Sequence, residues 1–484
     1  MTLLDLDHSF ARELDGFGAP WEPSDVPAPT LVRFNDDLAS ALGLDPDALT
    51  TDEAVRMFAG AASIDGSLPI AQVYAGHQFG NFNPQLGDGR AVLLGEITSP
   101  GGVRYDVALK GSGRTPFSRG GDGKAALGPV LREYLMGEAM HALGVPTTRA
   151  LAAITTGEMV RREGLVPGAV LTRVAASHLR VGTFQFFAAR GDGDRLRRLL
   201  DYTIARHDPD LAGAENPALA LLDAVIGRQT ALIARWMNLG FIHGVMNTDN
   251  VTISGETIDY GPCAFMDVYD PTTVFSSIDH GGRYAYGNQP TIGLWNMARL
   301  AEALLPLIDD DQERAVDLAT GALDTYQGRY DEAWLAGMRA KLGLDGVHHG
   351  DRVLAADWLE LVQDQRLDLT TAFRRLTEAA DGSLAGRVGV TSLFDAPVDD
   401  WFARWSDRLR PDAGDAMRLA NPIYIPRNHL VEASLAAANS GDLNPFDELL
   451  EAVTHPFEER PGHEAFASPA SGDFTNGYQT FCGT

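Results

Sequence analysis

The sequence contains little cysteine and no long, uninterrupted apolar segment. Cys263 and Cys482 are its two cysteines, too few for a disulfide framework or for a zinc site built on cysteines. No apolar run approaches the roughly 18 residues that a membrane-spanning helix needs. The first residues, MTLLDLDHSFARELDG, lack both the basic, apolar character of a signal peptide and the Arg-rich character of a transit peptide. We therefore expect a soluble, cytoplasmic protein.

Basic residues are also scarce. The chain has 39 Lys and Arg against 66 Asp and Glu, which gives a formal net charge of −27. Nucleic acids and anionic membranes are bound through basic surfaces, so neither is expected as a partner. The mean hydropathy of −0.11 is that of a globular protein, and 484 residues suffice for more than one core. An anion such as ATP would need a local basic pocket.

The predicted elements change in type along the chain. Between about residues 90 and 175, a helix over 125–143 lies among four β-rich runs, RAVLLGEI, YDVALKGSG, ALAAITTG and AVLTRVA. After about residue 180 the pattern is mostly helical, and its clearest helix begins at Pro217 and ends near Gly240. We predict an α+β protein of two lobes. Residues 1–180 form an N-terminal extension and a strand-rich lobe, and residues 181–484 form a helix-rich lobe with additional C-terminal helices.

The stretch FIHGVMNTDNVTISGETIDYG, residues 241–261, has the spacing of a protein-kinase catalytic loop. In the kinase pattern H-R-D-x-x-x-x-N, followed by D-F-G, the first Asp accepts the substrate proton, while the Asn and the second Asp bind metal. Here His243 and Asn250 are seven positions apart and Asp259 begins D-Y-G, but Val245 occupies the position of the proton acceptor. The loop therefore belongs either to an inactive kinase or to an enzyme that transfers a different group.

Asn250 and Asp259 are the candidate metal ligands. The residues between them read as a tight hairpin, which would return both side chains to one end of it. An amide oxygen and a carboxylate, completed by nucleotide phosphates, suit Mg²⁺ or Mn²⁺. Both residue types are also common in ordinary turns, but their spacing from His243 favours metal binding. Asp249 is the one nearby carboxylate that could replace the missing base, although it could instead cap a backbone N–H. His243 is expected to orient the loop.

Lys110 ends the run DVALK as the phosphate-contacting lysine ends a kinase strand. Glu133 follows 23 residues later on the predicted amphipathic helix, where a kinase places the glutamate that pairs with that lysine. Glu138 lies one turn further along, and periodicity alone does not choose between the two glutamates.

Glycine-rich, basic pieces supply candidate anion sites. LGDGR contains Gly87, Gly89 and Arg90, and KGSGRTPFSRGGDGK contains the cluster Arg114, Arg119 and Lys124. Glycines let backbone N–H groups approach phosphate, and arginine adds a bidentate charge. Most of the 51 glycines mark turns, so the basic cluster is the stronger signal.

Long motifs extend the pattern over most of the chain, with residues 310–410 the least distinctive part. They include SFARELDGFGAP, YAGHQFGNFNPQLGDGRAVLLGE, LKGSGRTPFSRGGDGKAALGPVLREYLMGEAMHALGVPTTRAL, FIHGVMNTDNVTISGETIDYGP, GGRYAYGNQPTIGLWNMARLAEAL, NPIYIPRNHLVE and YQTFCGT. Together they resemble the selenoprotein O family of protein adenylyltransferases, which has a protein-kinase-like fold.

The resemblance implies that ATP binds in reverse relative to kinases. The α-phosphate then faces a protein Ser, Thr or Tyr hydroxyl, AMP is transferred and pyrophosphate is released. It also implies that Asp249 accepts the proton, that Asn250 and Asp259 bind Mg²⁺ or Mn²⁺, and that Lys110 pairs with Glu133. The nucleotide pocket implied by the resemblance comprises Gly87, Gly89, Arg90, Lys110, Asp122, Gly123, Arg173 and Arg180.

The thiols depart from the family pattern. Eukaryotic members of the resembled family place selenocysteine near the C-terminus, where this chain has Cys482. One hypothesis is that oxidation links Cys482 to Cys263 and restricts access to the cleft. The alternative is two independent, reduced thiols.

Three other functions remain open from the sequence. One is transfer of UMP from UTP, and another is γ-phosphoryl transfer by a kinase with the same lobes. The third is a catalytically silent nucleotide-binding scaffold, a pseudokinase that presents the acidic helical lobe to partners.

Overall fold

The computed structural model describes residues 3–62, 64, 66–395 and 397–481 and has the expected mixture of helices and strands. The strands are β1 (Gly18–Pro20), β2 (Thr30–Phe34), β3 (Ile70–Gln72), β4 (Gly76–Gln78), β5 (Asn81–Asn83), β6 (Ala91–Thr98), β7 (Arg104–Lys110), β8 (Ala125–Ala126), β9 (Arg149–Arg161), β10 (Leu165–Ala175), β11 (Phe241–Ile242) and β12 (Ala264–Phe265). The four β-rich runs of the sequence are thus confirmed as β6, β7, β9 and β10.

Helices dominate the second half of the chain. They are α1 (Ser9–Glu13), α2 (Asp36–Ala41), α3 (Pro46–Leu49), α4 (Asp52–Phe58), α5 (Leu127–Ala142), α6 (Val181–Ala188), α7 (Gly193–His207), α8 (Pro217–Leu239), α9 (Gln289–Ile308), α10 (Gln312–Leu342), α11 (Asp351–Asp364), α12 (Leu369–Ala379), α13 (Leu384–Thr391), α14 (Asp399–Ser406), α15 (Ala413–Ala420), α16 (Asn428–Asn439), α17 (Asn444–Thr454), α18 (Glu464–Ala467) and α19 (Gly472–Gly477). The change of pattern near residue 180 is therefore real. The division of the chain into lobes at that residue stays a prediction.

One antiparallel sheet forms the centre of the first half. Its strands follow the order β1-β3-β6-β7-β10-β9-β2, and β8 pairs with β10. Because side chains alternate along a strand, Val107 and Leu109 face one side of the sheet and Ala108 and Lys110 face the other. The first side is covered by apolar residues of α2–α4. The second side joins the core that continues through α5 into the helical half, so the residues that face it are positioned between the two halves.

Helix α5 confirms the predicted helix to within two residues of its expected start, but it is not amphipathic. Most of its residues are buried, including Glu133 and Glu138. One face packs on β9 and β10, and α16 and α17 cover the other. The local sequence predicted a solvent-exposed face because the C-terminal helices that cover it lie some 300 residues away in the chain.

Helix α8 is the central helix of the second half. Asn216 caps its start by accepting a hydrogen bond from Leu219 N, and Gly240 ends it in the left-handed conformation with φ 74°. By length and composition alone α8 could cross a membrane, which corrects the expectation that no segment reaches that limit. However, 56% of its most apolar window is buried inside the protein, where it packs against α9 and α10, as the core helix of a globular domain does.

Candidate active site

A cavity of about 390 Å³ lies where the α5 side of the sheet meets the loops of the helical half. All twelve site residues proposed from the sequence line it: Gly87, Gly89, Arg90, Lys110, Asp122, Gly123, Glu133, Arg173, Arg180, Asp249, Asn250 and Asp259. The chain thus brings together residues that are up to 172 positions apart. Their individual roles stay predictions.

The cavity is basic, in contrast to the protein as a whole. Seven cationic side chains line it: Arg90, Lys110, Arg119, Lys124, Arg162, Arg173 and Arg180. Five carboxylates accompany them: Asp88, Asp122, Glu133, Asp249 and Asp259. In a chain of net charge −27, this local excess of positive charge is what a bound polyphosphate requires.

Lys110 and Arg173 meet through the register of β7 and β10. Lys110 lies opposite Leu171, and Arg173 lies opposite Ala108, so the two side chains are diagonal neighbours on the α5 side of the sheet. Lys110 Nζ is 2.5 Å from Glu133 Oε2, and Arg173 Nη1 is 3.3 Å from Glu133 Oε1. The Lys110–Glu133 pair expected from the sequence therefore forms, while Glu138 pairs with Arg149 instead.

Asp259 lies at the meeting point of these cations. Its Oδ1 accepts hydrogen bonds from Lys110 Nζ and from Arg173 Nη1, the latter at 3.0 Å, and its Oδ2 is 4.0 Å from Arg180 Nη2. Burial acts to raise the pKa of Asp259, but Lys110, Arg173 and Arg180 together hold it well below its usual value. The residue adopts φ 63°, a left-handed conformation that is unfavourable for a residue with a side chain. The carboxylate is thus kept ionised at a strained position.

The segment between Asn250 and Asp259 differs from the predicted hairpin. Its two sides do not pair with each other: Thr252 bridges to Arg180 and Thr257 to Thr147. A turn with Gly255 at φ 79° connects the sides. Each extended run finds its hydrogen bonds on a neighbouring segment, and both ends of the segment still reach the cavity.

His243 has the structural role expected of it. Its ring is buried, and its Nε2 lies 2.9 Å from the carbonyl oxygen of Ile258, immediately before Asp259. This contact connects the start of the catalytic loop to the candidate metal ligand.

The donor set at Asn250 and Asp259 suits a hard divalent cation. Asn250 Nδ2 donates to Val245 O at 3.0 Å, so its other side-chain atom, Oδ1, is available as a ligand. Within the described ranges, no group of three or more His, Cys, Asp or Glu side chains could hold a metal. An ion at this site would therefore depend on phosphate and water oxygens for most of its ligands, as Mg²⁺ commonly does.

Asp249 is buried beneath a small hairpin formed by β4 and β5. Its Oδ2 lies 3.4 Å from Gln78 Nε2, and its Oδ1 has no hydrogen-bond partner among the described residues. Burial raises the pKa of Asp249 to about 6, although Arg180 and Gln78 act to lower it. The residue is therefore a stronger base than an exposed aspartate.

The hairpin holds the loop through two further contacts. His77 N donates to Thr248 Oγ1 at 2.7 Å, and Phe79 N donates to Asn247 Oδ1 at 2.9 Å. Gly76 is needed for this fit, since a Cβ there would lie 2.4 Å from Asp249 Oδ1.

Three of the glycines that line the cavity allow backbone segments to approach closely. A Cβ at Gly87 would lie 2.5 Å from the ring of Phe117, one at Gly89 2.9 Å from Phe117 O, and one at Gly123 2.1 Å from Gly113 O. Asp122 pairs with Arg162 at 2.9 Å, which fixes the loop that carries Gly123. Arg114 lies outside the cavity lining and donates to the carbonyls of Gly120 and Gly121.

Sequence reasoning missed several residues of the cavity. Tyr74 lies beneath Arg180, whose guanidinium carbon is 4.4 Å from the ring centroid, and Asp88 Oδ1 lies 3.8 Å from Arg180 Nη1. Arg162 and Phe117 were also not singled out. Asp88 stands inside the quoted motif LGDGR and could have been found there. Tyr74 and Phe117 also stand inside quoted motifs, YAGHQFGNFNPQLGDGRAVLLGE and KGSGRTPFSRGGDGK, whereas Arg162, directly after β9, lies in none.

Of the two cysteines in the disulfide hypothesis, Cys482 lies outside the described residues. Cys263 is a buried thiol, and burial raises its pKa to about 12. Close by, Thr480 Oγ1 donates to Pro262 O at 2.7 Å, so the C-terminal segment reaches the neighbourhood of Cys263.

Comparison with known proteins gives a consistent result over nearly the whole chain. The family model described as Protein adenylyltransferase SelO matches residues 2–454. A Protein nucleotidyltransferase YdiU of Cereibacter sphaeroides is 63% identical over 483 residues, covering 99% of each chain. Proteins of the same name are 58% identical in a Mycobacterium species, covering 100% of each chain, and 56% identical in Methylorubrum extorquens, again covering 100% of each. Because the family model matches residues 2–454 and these relatives are similar over nearly the whole chain, the chain belongs to the SelO family of protein adenylyltransferases.

Proposed function

We propose that this protein transfers AMP from ATP to Ser, Thr or Tyr hydroxyls of other proteins and releases pyrophosphate. The observation that carries the proposal is the position of Asp249: a buried carboxylate lines the same basic cavity as Lys110, Arg173 and Arg180. Val245, where a kinase has its base, also lines this cavity. The proposed proton acceptor thus lies four residues further along the chain than the kinase position.

The proposed roles follow from the contacts. Lys110, Arg173 and Arg180 hold phosphate oxygens, and Glu133 holds Lys110 and Arg173 in place. Asn250 and Asp259 would bind Mg²⁺ or Mn²⁺, which neutralises phosphate charge when bound. Asp249 accepts the proton of the incoming hydroxyl while the oxygen of that hydroxyl forms a bond to the α-phosphorus. The bond between the α-phosphorus and the bridging oxygen of the β-phosphate breaks, and pyrophosphate leaves.

A protein-kinase-like fold is part of the same proposal. The supporting observations are the Lys110–Glu133 pair between β7 and α5 and the placement of Asn250 and Asp259 in the cavity. The net charge of −27 disfavours nucleic acid and anionic lipid as partners, which supports the proposal of a cytoplasmic enzyme acting on proteins.

Labelled nucleotides test the proposal directly. The protein is incubated with a bacterial protein extract and either ATP labelled at the α-phosphate or ATP labelled at the γ-phosphate, with Mg²⁺ or Mn²⁺. We expect label on protein from the α position only, and UTP labelled at the α-phosphate measures the nucleotide preference. Label from the γ position would support a kinase, and bound ATP without any transfer would support a scaffold. Either result contradicts the proposal.

A further inference from the structure

His178 lies outside the cavity lining but contacts two of its arginines. Its ring Nε2 is 3.2 Å from Arg173 Nε, and its backbone carbonyl accepts a hydrogen bond from Arg180 Nη1 at 3.1 Å. The residue is buried, with 2% of its surface exposed. One residue thus supplies an acceptor to each of the two arginines.

Asp106 determines which ring nitrogen of His178 carries the proton. Asp106 Oδ2 lies 3.0 Å from His178 Nδ1 and also accepts the backbone N–H of His178 at 2.8 Å. Because a carboxylate only accepts, Nδ1 must donate, and in the neutral ring Nε2 is then left with its lone pair facing Arg173 Nε–H. Burial lowers the pKa of His178, which keeps the ring neutral.

Asp106 is itself fixed in position. Its Oδ1 accepts a hydrogen bond from Arg206 Nη2 at 2.6 Å, and Arg206 lies on α7. Arg206 Nη2 also donates to Ala176 O at 2.7 Å. A continuous chain of hydrogen bonds therefore runs from α7 through Asp106 and His178 to the guanidinium of Arg173.

We propose that the Asp106–His178 pair is a positioning device that fixes the guanidinium plane of Arg173 for binding of the nucleotide phosphates. This inference rests on the proposed function, in which Arg173 is a phosphate ligand.

The geometry of Arg173 shows why a specific acceptor is needed. Nη1 is directed to Glu133 and Asp259, and Nε is directed to His178. In the described part of the chain, Nη2 has no protein acceptor, so it is the nitrogen available to a phosphate oxygen. Since the five N–H groups of guanidinium lie in one plane, the acceptor at Nε acts together with the two acceptors at Nη1 to fix where Nη2 points.

Two substitutions of His178 distinguish the role of Nε2 as a hydrogen-bond acceptor from the role of the ring in packing. His178→Gln carries a carbonyl oxygen that can reach the place of Nε2, whereas His178→Asn reaches only the place of Nδ1 and leaves Arg173 Nε without a partner. The dissociation constant of ATP is measured by calorimetry with Mg²⁺ and again in EDTA, so that metal binding and turnover do not enter the second measurement. The melting temperature of each variant is recorded alongside.

We expect His178→Asn to weaken ATP binding about ten- to hundredfold, the effect of an unpaired buried charged donor. His178→Gln should bind within about threefold of wild type, although both variants should lower the melting temperature similarly. Asp106→Asn provides a second route, because an amide facing Nδ1 favours the tautomer with the proton on Nε2. That proton would oppose Arg173 Nε–H, and ATP binding should again weaken.

A double-mutant cycle with Arg173→Lys completes the test, since lysine has no Nε–H. In that background His178→Asn should change the ATP dissociation constant less than twofold. Equal ATP binding by His178→Asn and wild type, or equal losses in His178→Gln and His178→Asn, would overturn the positioning role. If Arg173→Lys itself bound ATP as wild type does, the assignment of Arg173 in the proposed function would be overturned instead.

Discussion

At the scale of single residues, the two aspartates of the catalytic loop differ in what surrounds them. Three cations, Lys110, Arg173 and Arg180, lower the pKa of Asp259, whereas Arg180 is the one cation that acts to lower the pKa of Asp249. The first arrangement keeps a carboxylate ionised for a metal, and the second leaves a carboxylate able to accept a proton. Substitutions of the two residues should therefore affect different steps.

Replacing Asp249 should impair transfer more than binding. We expect Asp249→Ala to lower the rate of AMP transfer about 10²- to 10⁴-fold, the usual contribution of a general base, while the ATP dissociation constant changes by less than about fivefold. Transfer is followed with ATP labelled at the α-phosphate, and binding by calorimetry. Asp317→Ala, at an exposed position on α10, is the matched control and should leave both quantities unchanged.

Replacing Asp259 should abolish the metal-dependent reaction. In Asp259→Ala, Lys110 and Arg173 lose a shared carboxylate partner, and the candidate site keeps only Asn250. We expect no transfer above background at any Mg²⁺ or Mn²⁺ concentration, measured with the same labelled ATP. Full transfer by Asp259→Ala would contradict the metal assignment.

Spacing along the sequence was sufficient to predict some contacts of the site but not others. Lys110 and Glu133 could be paired through the 23-residue spacing of the kinase pattern, because periodicity alone also allowed Glu138. The contact between Arg173 and Asp259 could not, because it depends on the register of β10 against β7. The His178–Asp106 pair joins residues 72 positions apart, and no local pattern indicates it.

At the scale of elements, the β4–β5 hairpin covers the loop that carries Asp249. Within the hairpin, Gly76 packs closely against the Asp249 side chain. A Cβ at this position would lie 2.4 Å from Asp249 Oδ1, a distance that requires Asp249, the proposed base, to move. We expect Gly76→Ala to lower the rate of AMP transfer about ten- to hundredfold with little effect on ATP affinity.

Gly328→Ala is the matched control for this substitution. Gly328 lies on α10 with no atom within 4 Å of a built Cβ, so alanine there should leave transfer unchanged and stabilise the helix by roughly 0.5–1 kcal/mol. A Gly76→Ala enzyme with wild-type transfer would show that the hairpin does not hold the base.

Helix α10 carries a buried lysine near its end. Lys341 is 5% exposed, its Nζ lies 4.1 Å from the ring centroid of Phe373, and burial lowers its pKa to about 7. In the unfolded chain the pKa is about 10.4, so between pH 7 and pH 10 the unfolded state binds more protons. The free energy of unfolding should therefore rise with pH across this window.

Lys341→Met removes that titration while it keeps an unbranched side chain. At pH 7 we expect the variant to be more stable than wild type by roughly 1–3 kcal/mol, and the difference should shrink as the pH approaches 10. Urea unfolding at several pH values measures this. A constant difference over the whole range would show that Lys341 is not desolvated in the folded protein.

The elements themselves were easier to predict than their surroundings. The periodicity of α8, with a proline at its start and a glycine at its end, was sufficient to place it. The burial of α5 on both faces was not foreseen, since α16 and α17 are distant in the sequence. The expected hairpin after Asn250 was wrong for a related reason, because each of its runs bonds to a segment outside it.

At the scale of the whole molecule, Cys263 can report on global opening. Its thiol is buried, and its pKa of about 12 leaves little thiolate near neutral pH. We expect alkylation of Cys263 by iodoacetamide at pH 8 to be about 10³-fold slower than that of a free cysteine, and to become fast in denaturant. The variant Cys482→Ser isolates this reaction, and peptide mapping identifies the product. Rapid alkylation of the native variant would show that the Cys263 thiol is not buried in the folded protein.

Helix α5 has a consequence for how such an enzyme could be controlled. In many kinases the helix with the ion-pair glutamate swings outward and switches the enzyme off. Here that helix is sandwiched between the sheet and α16–α17, and Arg132 on it donates to Glu432 on α16 at 3.0 Å. An outward movement of α5 would break two interfaces together, one with the sheet and one with α16 and α17. We therefore expect the Lys110–Glu133 pair to be maintained in the folded protein, and outward movement of α5 is not expected to switch the reaction off.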